Sequence, residues 1–240
     1  ILTYANKWDI RPKDVEAYKR GELVEPVKPI VWYIDDAFPE SWKEPLKQSV
    51  LIWNQAFEKI GFKNVMVARD FPKDDPEFDP ANLKYNCVYY APIGIANAMG
   101  PSWVDPRNSE IIQASVFIYH DVIQLVNDMR FVQTSQVDSR VRTTKLPEDV
   151  LEESMRYIVA HEVGHCLGLM HNMASSASIP VEKYRDKEFM EKYGTTPSIM
   201  DYARFNYIAQ PEDKGVKLTP PRLGVYDFYA IDWGYRFFPD

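Results

Sequence analysis

Cysteine, histidine and long apolar runs are all scarce in this sequence, and each scarcity excludes a class of protein. Two cysteines, Cys87 and Cys166, cannot form the framework of a disulfide-rich domain. We interpret both as small buried hydrophobic side chains rather than as a bridge. No apolar run is long enough to cross a bilayer, so we expect no membrane-spanning segment. The net charge is −7 and lysine and arginine form no block, which argues against nucleic acid as a partner.

The composition is that of an ordinary globular protein. Hydrophobic residues make up 45% of the 240 residues and charged residues 26%, and 15 tyrosines, 12 phenylalanines and 6 tryptophans can fill a sizeable core. No linker divides the chain, so we predict one domain over residues 1–240. The sequence starts without Met and without a signal-peptide pattern, and we therefore expect it to be a piece of a longer or processed protein.

Three of the four histidines fall in one short stretch, His161 to His171, and only His120 lies elsewhere. His161 and His165 are four residues apart, so on a helix they lie on one face, one turn apart. Gly168 can leave the helical path, and His171 follows three residues later. Two imidazoles on a helix and a third from the following turn can bind one metal ion. The spacing therefore predicts a zinc site.

Glu162 directly follows the first of these histidines. Zinc held by three neutral imidazoles keeps one position for water, which then ionises near neutral pH. A carboxylate beside that water can take its proton and pass it to a leaving amine. Residue types and spacing thus predict hydrolysis of peptide bonds through a zinc-bound water, with Glu162 as general base and acid.

Apolar periodicity and turn residues predict the remaining elements. Residues 1–28 are expected to pack on the outside, and residues 70–80 to form a solvated acidic loop rather than a calcium site. Strands are predicted at 29–34, 64–68, 87–91, 103–104 and 111–119, the last two as a hairpin, with a loop at 94–101. Helices are predicted at 13–20, 41–60 with Ser41 as cap, 121–133, 147–167, 181–193 and 223–233.

The motif His161-Glu162-x-x-His165-x-x-Gly168-x-x-His171 resembles that of the metzincin clan of zinc metallopeptidases. Ser198-Ile199-Met200-Asp201-Tyr202 resembles the Met-turn of the clan, in which Met200 would lie beneath the zinc. In astacin-like and serralysin-like members a tyrosine two residues after that Met approaches the metal, and Tyr202 holds this position. From about Pro29 onward the chain is similar to large secreted metalloproteases of Bacteroidota and related bacteria.

This resemblance implies an α+β fold with a mixed, mostly parallel twisted sheet, backing helices and an active-site helix. Residues 1–168 would form an upper subdomain and residues 169–240 a smaller lower one with the Met-turn and a C-terminal helix. Ile111 to Tyr119 is our candidate for the edge strand that binds peptide, and Ala203 to Tyr207 for the wall of a side-chain pocket. The resemblance also implies a bacterial, extracytoplasmic enzyme that acts on protein or peptide substrates, as an endopeptidase.

Three alternatives stay open at the level of sequence. Glu182 or Glu188 could replace His171 as the third ligand. Alternatively, Tyr202 could close a structural zinc site in a non-catalytic binding or scaffold module, and Glu162 would then have no task. A latent form capped by a segment outside this chain is the third alternative.

Overall fold

The computed structural model describes residues 4–220 and 222–239. Six strands form one sheet: β1 (Ile30–Ile34), β2 (Met66–Asp70), β3 (Asn86–Ala91), β4 (Ala98–Met99), β5 (Ser102–Val104) and β6 (Ile111–Tyr119). The α-helices are α1 (Val15–Lys19), α2 (Glu40–Leu51), α3 (Asn54–Glu58), α4 (Val122–Thr134), α5 (Glu148–Cys166), α6 (Lys187–Tyr193) and α7 (Val225–Tyr235). Short 3-10 helices cover Ser139–Val141, Ser176–Ser178 and Val181–Arg185. None of these described helices combines the length and apolar character needed to span a bilayer.

The sheet is mixed and mostly parallel, as the resemblance implied. Its order is β2-β1-β3-β6-β4, and β5 also pairs with β6. The first four of these strands run parallel, whereas β4 and β5 are antiparallel to β6. Residues of β1 alternate between buried and half-buried, because one face of the strand packs on the main core. The division of the chain into residues 1–168 and 169–240 stays a prediction.

The predicted edge strand is wrong. β6 pairs with β3 on one side and with β4 and β5 on the other, so its backbone groups face neighbours on both sides. The edge is instead formed by β4 and β5, and no further strand pairs with them in the described part of the chain. The sequence concealed this edge, because β4 is only two residues long and lies inside the predicted loop at 94–101.

α5 is the central helix, and the prediction of residues 147–167 is correct to within one residue at each end. Its apolar residues pack against α2 and β6. Two distant side chains cap its C-terminal carbonyls: the Trp8 indole donates to Cys166 O at 2.8 Å, and the Tyr235 hydroxyl donates to Leu167 O at 2.8 Å. Trp8 is therefore buried, and the expectation that residues 1–28 pack on the outside is wrong at this point.

Other corrections concern helix boundaries. The predicted helix 41–60 is broken into α2 and α3, and Pro39 rather than Ser41 precedes it. The break turns Trp53 inward, where its indole donates to Ala160 O of α5 at 3.0 Å. The predicted helix 181–193 is likewise two pieces, because the Asp186 side chain caps a new start by accepting from Phe189 N. β2 and α7 each begin two residues later than predicted. The two cysteines are buried free thiols.

Candidate metal centre

Three imidazoles converge at the C-terminal end of α5. The helix places His161 and His165 on one face, as their spacing predicts. Gly168 then adopts a φ of +84°, and a Cβ at this position would overlap Asn6 O of the N-terminal segment. This turn brings His171 back to the other two, and one ligand atom from each lies within 4.8 Å of the others.

Backbone carbonyls orient two of the rings. Nδ1 of His161 lies 2.6 Å from Ile199 O, and Nδ1 of His165 lies 2.9 Å from Leu169 O. Because a carbonyl oxygen only accepts, each Nδ1 carries the proton and each Nε2 presents a lone pair. Nε2 of His161 is buried without a hydrogen-bond partner. A buried orphan lone pair that faces two more imidazoles fits a zinc ion.

The electrostatics of the ligands fit the same conclusion. Burial lowers the pKa of His161 to about 4, although its bond to Ile199 O opposes the shift. Burial also lowers the pKa of His165. Both rings are therefore neutral at physiological pH, which is the state that binds a metal. Nε2 of His165 lies only 3.1 Å from Nε2 of His171, a pair that a shared cation between them stabilises.

Glu162 lies beside this cluster on the same helix. Its side chain is buried, and burial alone raises the pKa of its carboxyl group to about 7. Gly100, which connects β4 to β5, passes so close that a Cβ there would overlap Glu162 O. The edge of the sheet is therefore packed directly against the helix at the residue that the sequence predicts as general base.

Met200 packs against α5 at Gly164, the residue before His165. It is buried, and its carbonyl accepts from Asn172 N at 2.9 Å, directly after His171. Gly164 faces it from α5, and a Cβ on Gly164 would overlap the Met200 sulfur. Glycine at 164 thus lets the turn approach the helix, a role that the sequence did not reveal because the motif tolerates any residue at this position.

A buried carboxylate holds the Met-turn, and the sequence analysis missed it. Asp227, the third residue of α7, accepts from Ser198 Oγ at 2.7 Å, Ile199 N at 2.8 Å and Gly224 N at 2.7 Å. Ile199 is the residue whose carbonyl orients His161. Asp227 therefore positions the metal site from a distance. An aspartate in the first helical turn is ordinary capping chemistry, so nothing in the sequence marked it.

The ring of Tyr202 contacts the rings of His161 and His171. Its ring centroid is 4.6 Å from that of His171 and 5.5 Å from that of His161, and 44% of the residue is exposed. The guanidinium of Arg204, which the sequence analysis did not single out, lies 4.7 Å from the Tyr202 ring centroid. His120, the remaining histidine, lies apart from the cluster and bonds to Tyr90.

Two further expectations about the site concern the glutamate alternative and the predicted pocket wall. Glu182 and Glu188 are exposed and do not join the metal-binding group, which within the described ranges consists of the three histidines. The predicted pocket wall, Ala203 to Tyr207, stays a prediction; Phe205 from this segment lines a cavity with a volume of about 800 Å³. That cavity follows α5 before His161, touching Tyr157 and Ala160, and is lined by neither Glu162 nor any of the three histidines.

Comparison with known proteins bears on the second half of the chain. No curated protein matches the sequence. Two solved structures are similar at 13% identity. For the GM1-bound form of the ECX AB5 holotoxin, the match covers 97% of this chain and 87% of that chain, with a TM-score of 0.47. For Myroilysin, it covers 96% of this chain and 90% of that chain, with a TM-score of 0.37. Scores this low carry no argument. Residues 143–240, which include every histidine of the site, Met200 and Tyr202, match the model of a family described as Met-zincin, and this match confirms the metzincin resemblance seen in the sequence.

Proposed function

We propose that this protein is a zinc-dependent endopeptidase. The observation that carries the proposal is the buried, unpartnered Nε2 of His161, which converges with ligand atoms of His165 and His171 on the helix that also carries Glu162. A metal site with three protein ligands leaves a coordination position open, which is typical of catalytic rather than structural zinc. The Met-zincin match over residues 143–240 supports a zinc peptidase at this coarse level.

The proposed mechanism gives each side chain a task. His161, His165 and His171 would hold zinc, which when bound polarises a carbonyl oxygen and acidifies water. Glu162 takes a proton from the attacking water onto its carboxylate and later gives it to the leaving amine. Burial, which raises the pKa of this carboxyl group in the metal-free protein, favours its acceptance of the proton. Tyr202, whose ring contacts that of His171, would donate its phenolic hydrogen to the oxyanion that develops on the scissile carbonyl.

We further propose that the substrate is a protein or peptide in extended form. The outer edge of β4 and β5 carries no strand partner in the described part of the chain, and Gly100 brings this edge next to Glu162. A peptide can add to such an edge as one more strand, through main-chain hydrogen bonds. An extracytoplasmic location and further domains in the full-length protein belong to this proposal and follow from the family resemblance.

A non-catalytic module with structural zinc is the second candidate, favoured only by the contact between Tyr202 and His171. If Tyr202 closed the site, no coordination position would stay open for an inhibitor. A hydroxamate that changes the absorption spectrum of the cobalt-substituted protein would exclude this candidate. Failure of hydroxamate to bind, together with Tyr202 as a fourth ligand, would favour it.

Replacement of Glu162 tests the mechanism. In Glu162→Gln we expect kcat/KM on a casein-derived peptide to fall by at least about a hundredfold, because the proton acceptor is lost. Zinc content should stay at one ion per chain, as metal analysis can check. Glu182→Gln, a change of the same type at an exposed position, should keep full activity. Full activity of Glu162→Gln would overturn the mechanism.

A further inference from the structure

Arg204 is held in an unusual backbone conformation two residues after Tyr202. Its φ is +59°, in the left-handed region that residues other than glycine rarely adopt. The peptide group that follows the residue is anchored at both of its polar atoms: Thr195 Oγ1 donates to Arg204 O at 3.4 Å, and Phe205 N donates to Gln133 Oε1 at 3.1 Å. Such a conformation persists where the surroundings impose it, and it clusters at binding and catalytic sites.

This backbone places the guanidinium at the metal centre. The Arg204 Cζ atom lies 4.7 Å from the centroid of the Tyr202 ring, and that ring in turn contacts His171. The cation is thus one aromatic ring away from the proposed zinc ligands, on the side where Tyr202 and His171 are exposed.

No carboxylate in the described part of the chain pairs with this cation. Within residues 4–220 and 222–239, Arg204 forms no ion pair and its guanidinium donates no hydrogen bond to protein. The nearby carboxylate of Asp201 is buried and accepts instead from Ser176 N at 2.6 Å and Thr196 Oγ1 at 3.3 Å. Most other arginines near this part of the fold are paired, for example Arg185 with Asp213 at 2.6 Å.

We propose that Arg204 is a specificity-determining residue that binds a carboxylate of the substrate beside the scissile bond. The inference rests on the proposed peptidase function and adds a substrate class to it: peptides with an acidic group at the cleavage site. A guanidinium has its donors in a planar fork that matches a carboxylate, and stacking on Tyr202 fixes the plane of the fork before the substrate arrives.

The carboxylate can come from two sources, an Asp or Glu side chain or the C-terminus of a short peptide, and the experiment distinguishes them. The peptides come in pairs that differ only by Glu or Gln at one position. Each pair tests one of the three positions on either side of the scissile bond, and each peptide is made with a free and with an amidated C-terminus. The zinc-loaded wild-type protein is compared with Arg204→Asn, because Asn tolerates a positive φ better than other neutral side chains. Arg204→Lys keeps the charge without the fork, and Arg69→Gln removes an exposed arginine from β2, at the opposite edge of the sheet.

At one or more positions, we expect the wild-type kcat/KM for the Glu peptide to exceed that for the Gln peptide by about tenfold or more. A tenfold ratio corresponds to the lower end of the free energy that a hydrogen bond to a charged group contributes. Arg204→Asn should reduce this ratio to near one, Arg204→Lys should keep part of it, and Arg69→Gln should leave it unchanged. A preference that follows the free C-terminus instead of a side chain also supports the proposal and identifies the other source.

Several outcomes would overturn it. One is a Glu to Gln ratio near one at every position in a wild-type enzyme that cleaves the peptides, which leaves the peptidase function standing. A ratio that persists in Arg204→Asn would assign the preference to another residue. Circular dichroism shows whether Arg204→Asn folds. If it does not fold, the test uses Arg204→Lys, which lacks the planar fork of donors. A Glu to Gln ratio in Arg204→Lys equal to that of the wild-type protein would contradict bidentate binding. Failure to cleave any peptide would instead overturn the peptidase function, and this inference with it.

Discussion

The three histidines differ in how firmly the protein holds each of them. His161 is 4% exposed and bonds to a Met-turn carbonyl, whereas His165 is half-buried and bonds to a carbonyl in the turn after the helix. His171 is exposed, and its ring contacts the other imidazoles and Tyr202. The first two rings are therefore preorganised by protein, and the third is the one whose position depends most on the metal.

His171→Ala should lose zinc without losing the fold. Because His171 is exposed, we expect little change in the melting temperature of the metal-free protein. Zinc affinity should fall at least about a hundredfold, since even loss of a residue that only supports a ligand costs 10–100-fold. Competition with a chromophoric chelator measures the affinity. Glu182→Ala is the matched control and should keep its zinc. If Glu182→Ala loses zinc and His171→Ala keeps it, the result would favour a glutamate as the third ligand.

At the level of elements, the site depends on close packing of the Met-turn against α5. Gly164 leaves room for the Met200 sulfur, and the indole of Trp53 packs at the same point. His161 and His165 flank Gly164 on the helix, so a change in the distance between helix and turn would move the ligands directly. Helix propensity alone favours alanine at 164, and the glycine there is explained by packing rather than by backbone preference.

Gly164→Ala should be destabilising although alanine is the better helix former. The added methyl group overlaps the Met200 sulfur, and overpacking of a core typically costs about 1–3 kcal/mol. Urea denaturation measures the free energy of unfolding. Gly234→Ala in α7 is the control, because open space surrounds that Cβ position, and we expect it to be stabilising by about 0.5–1 kcal/mol. Equal effects of the two substitutions would contradict the packing argument.

Asp227, which joins α7 to the Met-turn, gives a pH dependence that can be measured. Burial is the largest influence on this carboxyl group and raises its pKa from 3.8 to about 6, against the effect of its three hydrogen bonds. Between these values the folded state binds more protons than the unfolded state. The Asp227 contribution to the free energy of unfolding therefore falls as the pH rises from about 4 to about 6.

In Asp227→Asn this fall should be absent. Between about pH 4 and pH 6, the unfolding free energy of the wild-type protein should fall relative to that of the variant. The fall should be no more than about 3 kcal/mol. Asp232→Asn on the same helix is the control, because its ion pair with Arg236 lowers the pKa of Asp232 and leaves nothing to titrate in that window. A difference that is constant from pH 4 to pH 7 would contradict the account of Asp227.

At the scale of the whole molecule, the site joins segments that are far apart in the chain. α5 supplies two histidines and Glu162, the turn after Gly168 supplies the third histidine, and residues 198–204 supply Met200, Tyr202 and Arg204. Trp8 and Tyr235, from the two ends of the chain, cap the end of the helix that carries the ligands. The N-terminal segment and α7 thus have the same task, although 227 residues separate Trp8 from Tyr235.

Sequence could predict the parts of this site that depend on local spacing. His161, Glu162 and His165 lie on one helix, so periodicity alone brings them together. The support for these residues was not predictable, because it consists of backbone carbonyls at 169 and 199 and of the side chain of Asp227, none of which has a distinctive residue type. The edge strand was missed for a related reason, since β4 is defined by two residues and by its pairing with β6 rather than by an apolar pattern.

Anomalous scattering at the zinc edge, measured on crystals of the zinc-loaded protein, tests the central claim most directly. The account predicts one strong peak about 2.0–2.1 Å from Nε2 of His161, His165 and His171, with a fourth position that solvent or a hydroxamate can occupy. A peak bound elsewhere, or one at this site with its fourth position closed by a protein side chain that no inhibitor displaces, would contradict a catalytic zinc centre.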